Sequence, residues 1–239
     1  MNIQGWRWWL LVGLLSPLLL PLAIHTRRTA LRLAPAAGPV RGLARPQYAG
    51  QPLRLLMLGE STVVGVGVSC LQQGLVGQLA EELAVRHRRP VAWWALGENG
   101  ITAEQACQRL LPQVEVDGLD WVVLVFGVND CTHLTGLRRW RSALCSLAAG
   151  LQARSGSLVL TGVPPLQHFS ALPWLMRWLL GARAQQLDAQ LQQVAAGCGA
   201  QYVPLRPRLA AGYLALDGYH PSSMGYRDWA QALADAISR

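Results

Sequence analysis

The 239-residue chain contains no lysine, since all 21 of its Lys+Arg positions are arginine. That absence excludes a Walker-type phosphate loop, Schiff-base catalysis and a Ser-Lys dyad, each of which needs an ε-amine. Charge of any sign is scarce, at 14% of residues against 51% apolar, which places the chain among globular rather than disordered proteins. The formal net charge of +8 could suggest nucleic acid, but the arginines are spread along the chain. A cluster at Arg27, Arg28 and Arg32 lies beside an apolar segment, which fits a membrane surface better; no nucleic-acid partner is expected. Cysteine is also sparse: Cys70, Cys107, Cys131, Cys145 and Cys198 are odd in number and form no CxxC pair. They read as small core residues in a reducing compartment, not as a disulfide framework or zinc site. Two nucleotide and hydrolase signatures are missing as well. Gly65-Val66-Gly67 lacks the third glycine of a dinucleotide fingerprint, because position 70 is cysteine, and Val63 stands where a GxSxG elbow requires glycine.

What is present begins with an apolar run, Trp8 to Ile24, opened by Trp8 and Trp9, interrupted by Ser16, Pro17 and Pro21 and preceded by Trp6 and Arg7. As a straight helix it reaches roughly 25 Å, short of the ~30 Å hydrocarbon core. Residues 1–33 are therefore expected to be a membrane anchor, spanning or re-entrant. Arg27, Arg28 and Arg32 follow the run while Arg7 alone precedes it, a bias that disfavours a cleaved signal peptide and keeps the body on the cytoplasmic side; export is the alternative. Residues 34–52, rich in Ala, Gly and Pro, read as a linker, so residues 1–45 should be removable to leave a soluble, working body.

From residue 53 strand-like and helix-like segments alternate through to 239. Strands are predicted near 53–58, 91–96, 121–126, 157–161 and 201–204, and helices near 74–88, 102–113, 137–153, 183–197 and 222–237. Such alternation argues a parallel sheet with helices on both faces. Leu166 to Gly181, with Phe169, Trp174 and Trp178, reads as an apolar loop that packs on the body or meets an apolar substrate or bilayer.

Four short stretches follow predicted strands or precede the last helix, where the carboxyl edge of the sheet gathers them. They are Gly59-Glu60-Ser61, Gly97-Glu98-Asn99-Gly100, Gly127-Val128-Asn129-Asp130 and Asp217-Gly218-Tyr219-His220-Pro221. A serine hydroxyl becomes a nucleophile when a neighbouring base takes its proton and an acid fixes the base's tautomer; Ser61, His220 and Asp217 could fill those roles. The amides of Ser61 and Gly100 with the side chain of Asn129 could serve a developing oxyanion. Cys131 and His133 beside Asp130 read as a polar loop rather than a metal site, and His25, His87 and His168 as surface or flanking residues.

In this order and spacing the four stretches resemble the SGNH, or GDSL-type, hydrolases, whose sequence blocks contribute a Ser, a Gly, an Asn and a His. The corresponding positions are Ser61 in LGES, Gly100 in ENGIT, Asn129 in GVND, and His220 with Asp217 in DGYHPS. The resemblance covers residues 53–238. It implies a flavodoxin-like three-layer α/β/α sandwich with a five-stranded parallel sheet and a serine esterase, lipase or thioesterase. It implies Ser61, Asp217 and His220 as the triad, Ser61, Gly100 and Asn129 as the oxyanion site, and neither metal nor cofactor. The expected partners are a small-molecule or lipid-like ester and, through the N-terminal segment, a membrane. A deacetylase or other acyl-transfer enzyme, and a catalytically silent membrane-tethered binding protein of the same fold, are the alternatives. Two positions depart from the family pattern: Glu60 where aspartate is usual, and Thr62 where leucine is.

Overall fold

The computed structural model describes residues 5–206 and 210–238. The first four residues of the expected anchor therefore lie outside the described residues. Six strands form one sheet: β1 (Arg41–Ala44), β2 (Leu53–Gly59), β3 (Val91–Gly97), β4 (Leu119–Val125), β5 (Ser155–Thr161) and β6 (Gln201–Val203). Their spatial order is β1-β3-β2-β4-β5-β6, with every pairing parallel except β1 on β3.

The expected five parallel strands are the last five. The sixth, β1, corrects the strand count and sits inside the stretch read as a linker. Its four residues, Arg-Gly-Leu-Ala, carry no strand pattern of their own; the pairing arises because β3 offers a free edge, on which Gly42 lets the Trp93 ring pass where any Cβ would clash.

The helices are α1 (Gly5–Thr29), α2 (Leu75–His87), α3 (Ala103–Arg109), α4 (Val128–Thr132), α5 (Leu137–Gln152), α6 (Trp174–Gly197) and α7 (Ser223–Ile237). Successive strand residues point to opposite faces, so β2 divides itself between two cores. Leu55 and Met57 pack with α2 and α7, while Leu56 and Leu58 pack with α3, α5 and α6. Local chemistry sets the helix starts that matter for the site: Thr102 and Gln105 form a capping box on α3, and the Ser222 hydroxyl accepts from the Gly225 amide at the start of α7.

The apolar segment 166–181 is not a loop throughout. After a short 3-10 turn at Leu166–His168, Pro173 caps α6, which begins nine residues earlier than the sequence pattern indicates. This early part of α6 receives α1. Trp8 is wholly buried, its indole donates to the Leu179 carbonyl at 2.9 Å, and the buried Arg183 guanidinium lies over the rings of Trp8 and Trp9 at 4.9 and 5.7 Å. The Arg183 head also donates to the Thr135 carbonyl and to Gln186. The N-terminal helix is thus longer than the run of apolar residues suggests, and it is docked on the body.

Candidate active site

β2 lies at the point where the strand order reverses, with β3 on one side and β4 on the other, so the loop after it opens into the crevice where open α/β sheets bind ligands. Gly59 ends the strand because a Cβ there would lie 2.2 Å from the Val125 carbonyl oxygen. The chain then winds through tight turns, with the Val63 amide donating to the Glu60 carbonyl and the Val66 amide to that of Ser61. These turns hold Ser61 at the floor of the crevice.

The last loop builds the base. Asp217 Oδ1 accepts from the backbone amides of Tyr219 and His220, both at 3.0 Å, which folds the three-residue spacing into a closed turn. Its other oxygen, Oδ2, lies 2.6 Å from His220 Nδ1, and His220 Nε2 lies 2.9 Å from Ser61 Oγ. With the Nδ1 proton donated to Asp217, Nε2 is left as acceptor for the serine hydroxyl. Burial works to raise the Asp217 pKa, but the hydrogen bonds from the His220 ring and the two amides outweigh it and hold the carboxyl below its ordinary value. The Tyr219 ring packs edge-on against both His220 and Phe169, fixing the imidazole from the side.

Glu60, the departure from the usual aspartate, is buried beside Ser61. Its Oε1 accepts from the Val128 amide at 3.0 Å, and its Oε2 accepts from the Asn129 amide and from Asn129 Nδ2 at 3.0 and 2.8 Å. The longer arm therefore ties the Ser61 turn to the first residues of α4. Desolvation pushes its pKa up to about 8 against these donors, which pull the other way. The second hydrogen on Asn129 Nδ2 reaches the Ile101 carbonyl at 3.1 Å, so the amide is pinned from both sides.

Gly100 sits on the exposed turn after β3 at φ +84°, with open space where a Cβ would stand. It lies near the crevice in sequence order but does not line the cavity that holds Ser61. That cavity is lined mainly by apolar groups, among them Val128, Pro164, Phe169, Leu214 and Tyr219, with Ser61 and His220 supplying polar atoms at its floor.

Two participants were not recognised as such from the sequence. His168 borders the cavity although its lack of an acidic neighbour marked it as a flanking residue. Gly67, set aside with the incomplete fingerprint, turns at φ +103° and brings the Ser61 loop against the His220 loop: a Cβ there would lie 2.4 Å from the Pro221 carbonyl oxygen. The available signal was a GVG following a strand and serving no phosphate. The polar group Asp130, Cys131 and His133 is structural. Asp130 accepts from the Ala103 amide at the start of α3, the His133 ring bonds the Asn129 carbonyl, and Cys131 is fully buried.

The chain is similar in sequence and fold to several known proteins. A GDSL-like esterase of Mycobacterium tuberculosis is 26% identical over 198 residues, covering 78% of this chain; the chain spans 63% of that relative's length. Similar solved structures include an α/β hydrolase from the metagenome of Lake Arreo, at TM-score 0.62 and 21% identity over 78% of this chain and 95% of that one. A variant of an acetyl xylan esterase from Geobacillus stearothermophilus gives TM-score 0.60 and 20% identity over 79% and 95%. A lipase/acylhydrolase from Enterococcus faecalis gives TM-score 0.61 and 22% identity over 77% and 95%. At these identities the structural likenesses speak for the fold. The sequence model of the GDSL-like Lipase/Acylhydrolase family matches residues 57–227, from within β2 into α7, and the chain belongs to that family.

Proposed function

We propose that the protein is a membrane-associated serine esterase in which Ser61 is the nucleophile, His220 the general base and Asp217 its orienting acid. The observation that carries this reading is the unbroken chain of hydrogen bonds from Ser61 through His220 to Asp217 at the floor of an apolar cavity. His220 takes the Ser61 proton as Oγ attacks the ester carbonyl, then returns it to the departing alcohol; water repeats the sequence on the acyl-enzyme. The oxyanion forms beside the Ser61 amide and Asn129 Nδ2; Gly100, expected as the third donor, stands on an exposed turn outside the cavity. Since both hydrogens of the Asn129 side-chain amide already have acceptors, the growing negative charge competes with the neutral Ile101 carbonyl for one of them, a contact that strengthens only as the transition state is approached.

The lining of the cavity favours lipid-like or other apolar acylated substrates over a sugar ester, since a carbohydrate needs polar partners that Val128, Pro164 and Phe169 do not offer. Deacetylation of a carbohydrate, the activity named for one of the structural neighbours, is the second reading. A silent binding protein is disfavoured because an aligned Ser-His-Asp chain has no use in binding alone. The apolar α1, followed by Arg27, Arg28 and Arg32, supports attachment to a membrane with the body on the cytoplasmic side.

Ser61→Ala is expected to lower kcat/KM for nitrophenyl esters by about 10⁴–10⁶-fold and to abolish labelling by a fluorophosphonate probe. Unchanged turnover in that variant would sink the mechanism.

A further inference from the structure

A helix that crosses a bilayer meets the body of its protein at one end, because the other lies about 37 Å away for 25 residues. In α1 both ends are held. Near its start Trp8 is buried against Leu179 and Arg183, and near its end the Thr26 hydroxyl contacts Met176 Sδ at 3.8 Å. Beyond it, the Ala36 and Ala37 amides donate to Val64 and Ser69 in the loop that carries Ser61. The face of α1 turned away from these contacts leaves Leu10, Leu14 and Leu18 exposed. Beside it the first turn of α6 exposes Trp174 to 72%, together with Trp178.

The charge on this side has one sign. No Asp or Glu occurs among residues 1–59 or among residues 131–187, the stretches that build α1 and the first half of α6, whereas Arg7, Arg27, Arg28, Arg32 and Arg177 do. Arg27, Arg28 and Arg32 are exposed. The same side borders the catalytic loop. Arg177 lines a hollow shared with His168, Tyr213 and Leu214, which also line the Ser61 cavity, and Leu33 and Ala34 line another with Leu214 and Leu216.

We infer that α1 and the first turns of α6 form one seat that lies in the plane of an anionic bilayer without crossing it, with the mouth of the Ser61 cavity at the lipid surface. Trp6, Trp9, Trp174 and Trp178 enter the interface, the arginines meet anionic headgroups, and the ester is taken from the membrane. This deepens the esterase reading and rests on it for the identity of the substrate, but the seat itself is measured without turnover.

The test uses the full chain carrying an N-terminal epitope, added to preformed vesicles of phosphatidylcholine alone or mixed with phosphatidylglycerol. Co-sedimentation is expected with the mixed vesicles, weakening about fivefold for each of Arg27→Gln, Arg28→Gln and Arg32→Gln. Trp174→Glu with Trp178→Glu should lower vesicle binding about tenfold or more while leaving turnover of water-soluble nitrophenyl acetate unchanged, a readout that also reports folding. Protease added outside should remove the epitope along with the body; an epitope protected inside the vesicle means a spanning helix and overturns the inference. Binding that is indifferent to phosphatidylglycerol and to both tryptophans overturns it as well. If nitrophenyl acetate is not hydrolysed by the wild type, the esterase reading fails while the binding and protection results still stand or fall by themselves.

Discussion

At the scale of single residues, Glu60 stands where the family resemblance leads one to expect aspartate. Its carboxyl is buried and its pKa is pushed up to about 8 from an ordinary 4.5, so the folded protein holds that proton more tightly than the unfolded chain. The stability it contributes is fully present below pH 4.5 and is lost as the pH rises toward 8, because over that interval only the folded state stays protonated. Glu60→Gln should flatten that part of the pH dependence. It should also cost about 1–3 kcal/mol, since Gln presents an amide nitrogen to one of the donors Glu60 now accepts. Thermal midpoints measured from pH 5 to 8.5 for both proteins check the sign; parallel curves would show that Glu60 does not titrate in this range. Gly67 is a different kind of residue, contributing only an absence. Gly67→Ala places a methyl 2.4 Å from the Pro221 carbonyl oxygen at φ +103°, and relief must come from shifting the His220 loop. A loss of about 1–3 kcal/mol in stability is expected, with a disproportionate fall in kcat at temperatures where the variant remains folded; kinetics and calorimetry on the same sample separate the two.

At the scale of elements, the local signal in the sequence decided what could be read. β4 was plain because Trp121 to Phe126 is an uninterrupted apolar run, which only a strand covered on both faces can bury. β1 was hidden because nothing in Arg-Gly-Leu-Ala prefers a strand; its partner supplies the reason. The start of α6 was hidden because Trp174 and Trp178 face outward, so the apolar periodicity of an amphipathic helix is missing there. The residues proposed for catalysis were legible for the opposite reason. Asp217 and His220 lie within one turn, and Ser61 and Asn129 each follow a clear strand, so local spacing was enough. What spacing could not convey was Glu60 reaching α4, or Gly67 touching Pro221, since both contacts join parts of the chain far apart in sequence.

The docking of α1 belongs to this scale too. Removing residues 1–45 strips Trp8 from its place between Leu179 and Arg183 and leaves the edge of β3 bare. The lost burial of one tryptophan alone is worth about 2–3 kcal/mol, and the bare edge invites association. The truncated chain is therefore expected to unfold at lower urea concentration than the full chain in detergent and to aggregate as it does so. Equal midpoints would mean that α1 rests on the body without supporting it.

At the scale of the whole molecule, Ser61 and His220, the proposed nucleophile and base, come from opposite ends of the domain, 159 residues apart, and nothing local brings them to 2.9 Å. Ser61 leaves the sheet at β2 and His220 precedes the last helix, so the proton path exists only once β2 through α7 have been assembled. Reactivity toward an electrophilic phosphonate is then a count of completed chains. Pulse-labelling during refolding would report the moment the last segment arrives, and the same reagent, applied to a library of variants, would sort those that merely fail to turn over from those that never close the fold.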